Sequence, residues 1–466
     1  MITMTLAEIA RVVGGSLVEE ENAYLAVTGP AFLDSRSPVV GGLFLAIAGE
    51  HVDGHDYASM ALAGGAAAVL GSRPVAGPCV VVEDVQEAVG RLARHVLSEL
   101  RRADPRLRVV AVTGSQGKTS VKDMLAAVLS DAGPTVATYG SFNNELGLPL
   151  TVLRAGPETR FLVLEMGARG IGHLALLCAT APPDISVVLN VGRAHLGEFG
   201  SQAAIAQAKG ELVEALGPEG VAVLNLDDPL VAAMAARTRG RIRTFGASAG
   251  ASVRLGSVEV DALGRPGFDL TSGTERIHVQ LHLLGEHQAL NAAAAATAAL
   301  AAGVGLDAIG ASLGRLTALS KWRMELTERA DGLVVINDAY NANPDSMRAA
   351  LETLAGIGRR SGRRTIAVVG EMRELGSTSD REHAVVAELA RDLGIDRLVV
   401  VGEGARAIYE ADDTATFYGS VRAAIDGMRN NVHGAEVVLV KASRAAGLER
   451  IAEALLVPND VEEEGP

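Results

Sequence analysis

Short apolar runs alternate with amphipathic helical patterns along most of the chain. In the first hundred residues, apolar positions recur every three or four residues in two stretches and run together in three others, which predicts two helices and three strands. The helices are expected at 6–13 and 85–97, and the strands at 43–47, 66–70 and 79–82. A polar bridge at 101–105 follows. We therefore predict a small mixed α/β domain over residues 1–104.

The alternation continues with the spacing of a parallel sheet joined by crossover helices. The strands are predicted at 109–112, 136–138, 161–164, 186–190, 221–224 and 242–245. The less helical stretch at 251–284 predicts antiparallel strands, and the alanine-rich stretch at 288–302 predicts a buried helix. We assign residues 105–319 to this central parallel-sheet domain.

A third alternation begins after residue 319. Its strands are predicted at 333–336, 365–369, 397–401 and 437–440, and its helices at 346–356, 381–393 and 421–428. The pattern is typical of a Rossmann-like sheet, but no Gly-x-Gly-x-x-Gly follows a strand, so we predict no dinucleotide. Residues 320–466 would form this C-terminal domain, which makes the whole chain an α/β protein of three domains.

Length, charge and cysteine content narrow the class of protein. A chain of 466 residues exceeds one ordinary core, and its net charge of −14 argues against nucleic acid or an anionic membrane as the main partner. Cys79 and Cys178 lie far apart in apolar surroundings and are expected to be reduced, as in a cytoplasmic protein. Neither a signal peptide nor a membrane span is predicted.

A glycine-rich run lies between the strand at 109–112 and the helical pattern after it, and it reads Thr-Gly-Ser-Gln-Gly-Lys-Thr-Ser from residue 113. Backbone N–H groups in such a turn surround a phosphate at the positive end of a helix. Lys118 would neutralise the outer phosphates, and Thr119 would ligate Mg²⁺. The first glycine of the general pattern would fall at Val112. We predict a nucleotide-phosphate site formed by Gly114, Ser115, Gln116, Gly117, Lys118, Thr119 and Ser120.

Two polar side chains follow other strands of the predicted central sheet. Glu165 ends the run at 161–164, and His195 comes shortly after the run at 186–190. Because the carboxyl ends of parallel strands line the ligand crevice, Glu165 is placed to hold Mg²⁺, and His195 to ligate a metal or contact a phosphate. Each also has an ordinary interpretation, since strand-end glutamates are common on surfaces and a lone loop histidine more often binds nothing.

Lys209 falls in the middle of an apolar stripe on a predicted helix that Ser201 can cap and that runs to Leu216. A lysine there either extends its ammonium to water or is held where burial lowers its pKa. A neutral amine can react with CO₂ to form a carbamate, whose carboxylate could ligate a second Mg²⁺. Without other observations, extension to water is the favoured interpretation.

Further along the chain, Asn291 opens the alanine-rich helix, where its amide could bond an adenine edge, although a cap or an interhelical contact is more usual. Asp338 lies at a strand end in a turn rich in Asn, Asp and Pro, where it could bind ribose hydroxyls. Arg323 could reach the terminal phosphate across a domain cleft.

In this order along the chain, these residues resemble the Mur ligases of peptidoglycan assembly, over essentially the full length. The resemblance rests on 113–120, Glu165-Met166-Gly167, His195, Lys209, His287 with Asn291, Arg323 and Asp338. Within the family, the segments 34–36, 141–149 and 338–347 are similar to the member that joins D-alanyl-D-alanine to a UDP-N-acetylmuramoyl-tripeptide.

The resemblance implies a UDP-substrate domain, an ATP domain and a dipeptide domain in one monomer. ATP would phosphorylate the C-terminal carboxylate of the tripeptide, and the dipeptide amine would attack the acyl phosphate. It further implies catalytic roles for Lys118, Glu165, His195, Lys209 and Arg323. Thr119 and Glu165 would hold one Mg²⁺, and His195 with carbamylated Lys209 a second.

Nucleotide and substrate contacts are implied in the same way. Asn291 would face adenine, Asp338 the ribose and Tyr340 the nucleoside. The residues that the resemblance places near the other substrates are Ser35, Arg36, Asn143, Asn144, Asn341, Lys441, Ser443 and Arg444. Three positions depart from the family pattern, namely Gln288 in place of Asn, Trp322 in place of Gly and Ala442 in place of Gly.

Other functions stay open at this point. A ligase that adds the third amino acid would carry Asp-Asn-Pro-Arg where this chain has Gly-Glu-Met-Arg-Glu-Leu-Gly at 370–376. A folylpolyglutamate-type ligase would begin near the nucleotide domain, whereas a domain precedes it here. An ATP-binding module without ligation would not need Lys118, Glu165, His195 and Lys209 together.

Overall fold

The computed structural model describes residues 1–49, 52–140, 142–192, 201–317, 320–429 and 431–457. Its strands are Met4–Thr5 (β1), Ser16–Leu17 (β2), Ala26–Val27 (β3), Ala31–Phe32 (β4), Leu43–Ala46 (β5), Ala68–Gly71 (β6), Cys79–Val81 (β7), Arg108–Thr113 (β8), Thr135–Ala137 (β9), Phe161–Glu165 (β10), Ile185–Val188 (β11), Val221–Asn225 (β12), Arg241–Gly246 (β13), Val253–Val260 (β14), Pro266–Ser272 (β15), Glu275–Gln280 (β16), Glu325–Glu328 (β17), Val334–Asp338 (β18), Arg364–Val369 (β19), Arg397–Val401 (β20), Thr416–Tyr418 (β21) and Glu436–Lys441 (β22).

The helices of the described ranges are Leu6–Val13 (α1), Ala58–Ala63 (α2), Val85–Ala103 (α3), Lys118–Ala132 (α4), Gly147–Val152 (α5), His173–Thr180 (α6), Gln202–Glu214 (α7), Pro229–Ala232 (α8), His287–Ala301 (α9), Leu306–Arg315 (α10), Pro344–Ser361 (α11), Ser379–Asp392 (α12), Arg406–Glu410 (α13), Val421–Met428 (α14) and Glu449–Leu456 (α15). None of them is long and apolar enough to cross a membrane.

The N-terminal part builds a sheet in the order β2-β7-β6-β5-β4, parallel except for β2. Helix α3 is longer than predicted, so the polar bridge expected at 101–105 was wrong over residues 101–103. Asp84 caps the helix by accepting from Glu87 N at 2.9 Å, and its buried stripe continues to Leu100. Its core is shared with α5 and α6 of the next region, because the stripe packs on both.

The central sheet has the order β16-β15-β14-β13-β12-β11-β8-β10-β9. The strands from β9 to β14 pair in parallel, and β14, β15 and β16 pair antiparallel, as the two sequence patterns predicted. Strand β8 lies between β10 and β11. The carboxyl ends of these three strands therefore surround the glycine-rich run, which is where open α/β sheets bind ligands.

The alanine-rich segment forms α9, which packs against α4. Its alanines from Ala292 to Ala296 are fully buried. Side chains of one carbon let the two helix backbones approach closely, so the alanine content places α9 against the helix that starts at the glycine-rich run.

The C-terminal sheet has the order β17-β18-β22-β19-β20-β21, parallel except for β17. The four predicted strands are present, but the two edge strands were missed. Three of the four residues of β17 are exposed and β21 has only three residues, so neither carries the apolar run of a central strand. Strands β18 and β22 are neighbours, and their register sets Asp338 opposite Lys441.

Candidate active site

A cavity of about 560 Å³ lies where the carboxyl ends of the central strands face the C-terminal sheet. It gathers most of the side chains that the sequence singled out. Those lining it are Gly114, Ser115, Gln116, Gly117, Lys118, Thr119, Ser120, Asn143, Asn144, Glu165, Lys209, Asn291, Arg323, Asp338, Tyr340, Asn341 and Lys441. His195 lies outside the described residues, so its predicted role stays a prediction.

The shape of the glycine-rich turn is fixed by its own backbone and by Asn190. Gly117 takes a left-handed φ of 79° and caps α4. Asn190, at the end of β11, accepts from Gln116 N at 2.9 Å and donates to Gln116 O at 3.3 Å. Lys118 Nζ donates to Gly114 O at 2.8 Å. Desolvation by the surrounding protein lowers the pKa of Lys118. The turn thus presents backbone N–H groups and one ammonium to a common point.

Glu165 is 1% exposed at the end of β10, beside β8. Asn143 Nδ2 donates to its Oε1 at 2.8 Å, whereas Oε2 is buried without a hydrogen-bond partner among the described residues. Thr119, the second residue of α4, is buried in the same cavity. A desolvated carboxylate oxygen and a threonine hydroxyl in one cavity suit Mg²⁺, which prefers oxygen ligands. Asn143, predicted to meet substrate, therefore orients Glu165.

The described residues contain no group of three His, Cys, Asp or Glu side chains that could hold a metal ion. This does not conflict with the fit of Glu165 and Thr119, because Mg²⁺ sites in nucleotide enzymes combine few carboxylates with hydroxyl, phosphate and water oxygens. A pair of oxygen ligands is what the described part of the cavity offers.

Lys209 is 5% exposed, so the favoured interpretation that its ammonium extends to water was wrong. Ser201 caps α7 as predicted, accepting from Ala204 N at 3.1 Å, and this sets the rotation of the helix that carries Lys209 into the cavity. Burial, with a smaller contribution from the Lys118 charge, lowers the pKa of Lys209 to about 7. A substantial fraction of the amine is therefore neutral and nucleophilic near pH 7.

Asn291 lies against the glycine-rich turn at the start of α9. Its Nδ2 donates to Gln288 Oε1 at 2.9 Å, and a Cβ added to Gly117 would come within 2.6 Å of its Oδ1. Gln288 is 3% exposed. The glutamine that departs from the family pattern therefore fixes the orientation of the predicted adenine-binding amide.

The C-terminal sheet contributes the other wall. Lys441 Nζ donates to Asp338 Oδ2 at 2.6 Å and to Asn341 O at 2.8 Å. Met324 N donates to Asp338 Oδ1 at 3.1 Å, so both carboxylate oxygens of Asp338 already have partners. A ribose hydroxyl would have to share them.

Arg323 lies between two residues of unusual backbone conformation. Its guanidinium carbon is 4.3 Å from the ring centroid of Tyr340. Trp322 and Met324 have φ of 59° and 49°, a region that costs a side-chain-bearing residue about 1–3 kcal/mol and occurs mostly at functional sites. The glycine expected at position 322 would adopt this conformation without strain.

Four predicted substrate residues lie elsewhere. Ser35 and Arg36 line a separate cavity of about 430 Å³ on the N-terminal sheet, where hydrogen bonds from Arg36 lower the pKa of Asp34 to about 2. Ser443 accepts from Arg373 N at 3.0 Å, and Arg444 stacks on Trp322 at 4.1 Å. Neither is among the described residues that line the larger cavity.

Lys122 on α4 is 2% exposed, and no pattern in the sequence had predicted its burial. Its Nζ donates to Thr138 O at 2.9 Å and pairs with Asp123. Asp123 in turn accepts from Ser320 N and Oγ, both at 2.8 Å. A lysine four residues after Lys118 was available as a signal, but Ser320, which contacts both Lys122 and Asp123, lies about two hundred residues away.

Three family profiles match most of the chain. They are the Mur ligase family catalytic domain at 32–103, the Mur ligase middle domain at 112–299 and the Mur ligase glutamate ligase domain at 322–444.

Curated relatives match over nearly the full length. The UDP-N-acetylmuramoyl-tripeptide–D-alanyl-D-alanine ligase of Mycobacterium tuberculosis is 44% identical over 98% of both chains. The enzyme of the same name from Escherichia coli is 38% identical over 98% of this chain and 99% of its own.

Solved structures agree. MurF from Acinetobacter baumannii has a TM-score of 0.86 at 30% identity, covering 98% of this chain and 99% of its own. MurF from Thermotoga maritima, in complex with ADP, has a TM-score of 0.78 at 30% identity, covering 92% and 97%.

Proposed function

The chain belongs to the Mur ligase family, and from that premise we propose that it is an ATP-dependent ligase joining D-alanyl-D-alanine to UDP-N-acetylmuramoyl-tripeptide. The observation that supports this most directly is the shared cavity. The glycine-rich turn, a desolvated carboxylate and a buried amine line one side of this cavity, and residues of the C-terminal sheet line the other. An ATP-binding module without ligation would not need the second wall.

The chain's own residues would act on charge and position. The tripeptide carboxylate attacks the terminal phosphorus of ATP, ADP departs, and the dipeptide amine displaces phosphate from the acyl carbon. Negative charge develops on the transferred phosphoryl oxygens in the first step. Lys118 and the backbone N–H groups of the glycine-rich turn would stabilise it, with Arg323 approaching from the C-terminal side.

Mg²⁺ fits the oxygen atoms that Glu165 and Thr119 present. When bound, it would neutralise phosphate charge and orient the terminal phosphate. A second ion is proposed at Lys209 and His195. The number of ions is part of the proposal, as are the adenine, ribose and nucleoside roles of Asn291, Asp338 and Tyr340.

The remaining assignments are also proposed. Residues 1–104 would hold the UDP end of the substrate at the cavity near Ser35 and Arg36, residues 105–319 would bind ATP, and residues 320–466 would receive the dipeptide. A monomeric state and a cytoplasmic location remain predictions.

The proposed activity is tested by measuring phosphate release from ATP with UDP-N-acetylmuramoyl-tripeptide and D-alanyl-D-alanine, omitting each in turn. Release should require both, and pentapeptide should accumulate in equal amount. Release that ignores the dipeptide, without pentapeptide, would refute ligation.

Carbamylation of Lys209 is tested separately. Labelled bicarbonate should give a carbamate signal in ¹³C NMR of the wild type that disappears in Lys209→Ala, together with at least a 100-fold loss of ligation. Full activity in buffer depleted of CO₂ would show instead that Lys209 acts as an unmodified amine.

A further inference from the structure

Glu374 lies on the loop that follows β19 and lines the larger cavity from the C-terminal side. Its side chain is exposed, and its φ is 65°. A glutamate is strained in this left-handed region of φ, because only glycine, and less often asparagine or aspartate, adopts it readily. The chain thus carries a strained, charged residue at the wall of the cavity, and strain of this kind is concentrated at functional sites.

Two buried acceptors hold the backbone just before Glu374, and a hydrogen bond within the loop holds it just after. Met372 N donates to Nε2 of His383 at 2.8 Å, and Arg373 N donates to Ser443 Oγ at 3.0 Å. Both acceptor residues are less than 5% exposed. Beyond the turn, Thr378 Oγ1 donates to Leu375 O at 2.9 Å. Because the backbone is fixed before and after Glu374, the strained residue cannot relax without breaking these bonds.

Glu374 differs from the other carboxylates that line the cavity. Glu165 lies on the central side, where Asn143 and the proposed Mg²⁺ account for it. Asp338 has partners on both oxygens. Glu374 lines the cavity and has no hydrogen-bond or ion-pair partner among the described residues, so its carboxylate oxygens are available to a ligand.

Under the proposed function, one reactant that meets this wall has a positive end. D-alanyl-D-alanine is a zwitterion, and its ammonium group loses one proton to water before the resulting amine attacks the acyl carbon. We propose that Glu374 binds this ammonium and thereby selects a dipeptide with a free amino terminus. Glu374 is then the residue that positions the amine for the second step. Ser443 contributes indirectly, because its hydrogen bond to Arg373 N anchors the loop that carries Glu374. This inference rests on the proposed ligation.

Calorimetry measures the affinity of two ligands for the wild type and for Glu374→Gln. UDP-N-acetylmuramoyl-tripeptide and a non-hydrolysable ATP analogue are present in each titration. The ligands are D-alanyl-D-alanine and N-propionyl-D-alanine, which has a hydrogen in place of the amino group. The substitution should weaken the dipeptide by about 10-fold or more, as expected for a lost charged hydrogen bond, and leave the propionyl compound within about twofold. Equal affinity of both proteins for the dipeptide would overturn the proposal, and so would equal weakening of both ligands.

Two variants separate charge from loop structure. Glu371→Gln alters a neighbouring acid that pairs with Arg373 and is not among the described lining residues, so dipeptide affinity should be unchanged. Glu374→Gly removes the carboxylate and the strain together, so it should keep the melting temperature but lose the preference for the ammonium. Retention of that preference in Glu374→Gly would also overturn the proposal.

Hydroxylamine distinguishes this proposal from the proposed function. It traps an acyl phosphate as a hydroxamate without using the dipeptide site, so the wild type and Glu374→Gln should form equal amounts. Failure of the wild type to form either hydroxamate or pentapeptide would refute ligation itself.

Discussion

Single residues in the cavity combine burial with charge. Lys209 is the clearest case, because its pKa of about 7 reflects desolvation and the nearby charge of Lys118. Protonation of such an amine is unfavourable in the folded protein, whereas its neutral form is available to react. The same property that favours a carbamate should therefore appear as a pH-dependent loss of stability.

The first prediction concerns that pH dependence. An unfolded lysine titrates near 10.4, so between about pH 7 and 10 the unfolded chain binds more protons than the folded one at Lys209. Stability from this group should rise as pH rises through that window and be lowest below pH 7. The free energy of unfolding is measured with urea, in the absence of metal and CO₂. Between pH 7 and 9 it should increase by roughly 2 kcal/mol more for the wild type than for Lys209→Met.

Lys321→Met, at an exposed position, is the matched control and should follow the wild type. Parallel pH profiles of the wild type and Lys209→Met would contradict the lowered pKa.

The second prediction concerns Gly117. Its φ of 79° and the 2.6 Å approach to Asn291 Oδ1 leave no room for a methyl group. Gly117→Ala should destabilise the protein by about 1–3 kcal/mol and weaken ATP binding at least 10-fold, because the turn must open. Gly217→Ala, where an added Cβ meets nothing within 4 Å, should bind ATP normally in the same titration.

At the scale of elements, the packing of α9 on α4 decides the position of the glycine-rich turn. Helix α4 begins at Lys118, and α9 covers it with alanines. Small side chains permit close contact, but they leave no spare volume. The sequence predicted both helices, whereas their contact depends on the order of strands between them.

The third prediction follows from that packing. Ala295 is fully buried in α9, which packs on α4 and on the central sheet, so Ala295→Leu should overpack this layer and lower the free energy of unfolding by about 1–3 kcal/mol. The affinity for ATP should fall together with the stability, because α4 begins at the glycine-rich turn. The comparison is Ala311→Leu on α10, where the side chain is exposed. Unfolding and ATP titration of both variants measure the effect, and equal behaviour would contradict close packing of α9.

At the scale of the molecule, the cavity depends on how the C-terminal sheet is joined to the central one. Ser320 stands at the start of the C-terminal region, and Asp123 on α4 accepts both its N–H and its hydroxyl. Lys122 pairs with the same carboxylate. The start of the C-terminal region is therefore held to α4, the helix that begins at the glycine-rich turn. We call this contact the joint between the central and the C-terminal walls of the cavity.

The fourth prediction tests this joint. Asp123→Ala removes two hydrogen bonds and leaves the Lys122 ammonium buried without its ion pair, which should cost about 2–4 kcal/mol. Ser320→Ala keeps the backbone bond and should cost about 1 kcal/mol. Ligation should fall more than ATP affinity in Asp123→Ala, because ATP needs mainly one wall. Steady-state kinetics beside ATP titration decide this, and a purely ATP-binding defect would argue against a role in joining the walls.

The sequence alone determined the features that depend on near neighbours in the chain. The glycine-rich turn, Glu165 at a strand end and the Ser201 cap each follow from residues within a few positions. Apolar alternation likewise predicted the parallel central sheet, because a buried strand and an amphipathic helix each show their own period.

Only the tertiary structure decided the features that depend on distant partners. Lys209 could reach water or stay buried, and its neighbours in space settled that it is buried. Asp338 and Lys441 pair across about a hundred residues, and Ser443 supports the loop of Glu374 from seventy residues away. Burial and pairing are properties of the assembled sheets, so local periodicity predicts which residues come to the cavity but not which of them remain free to act there.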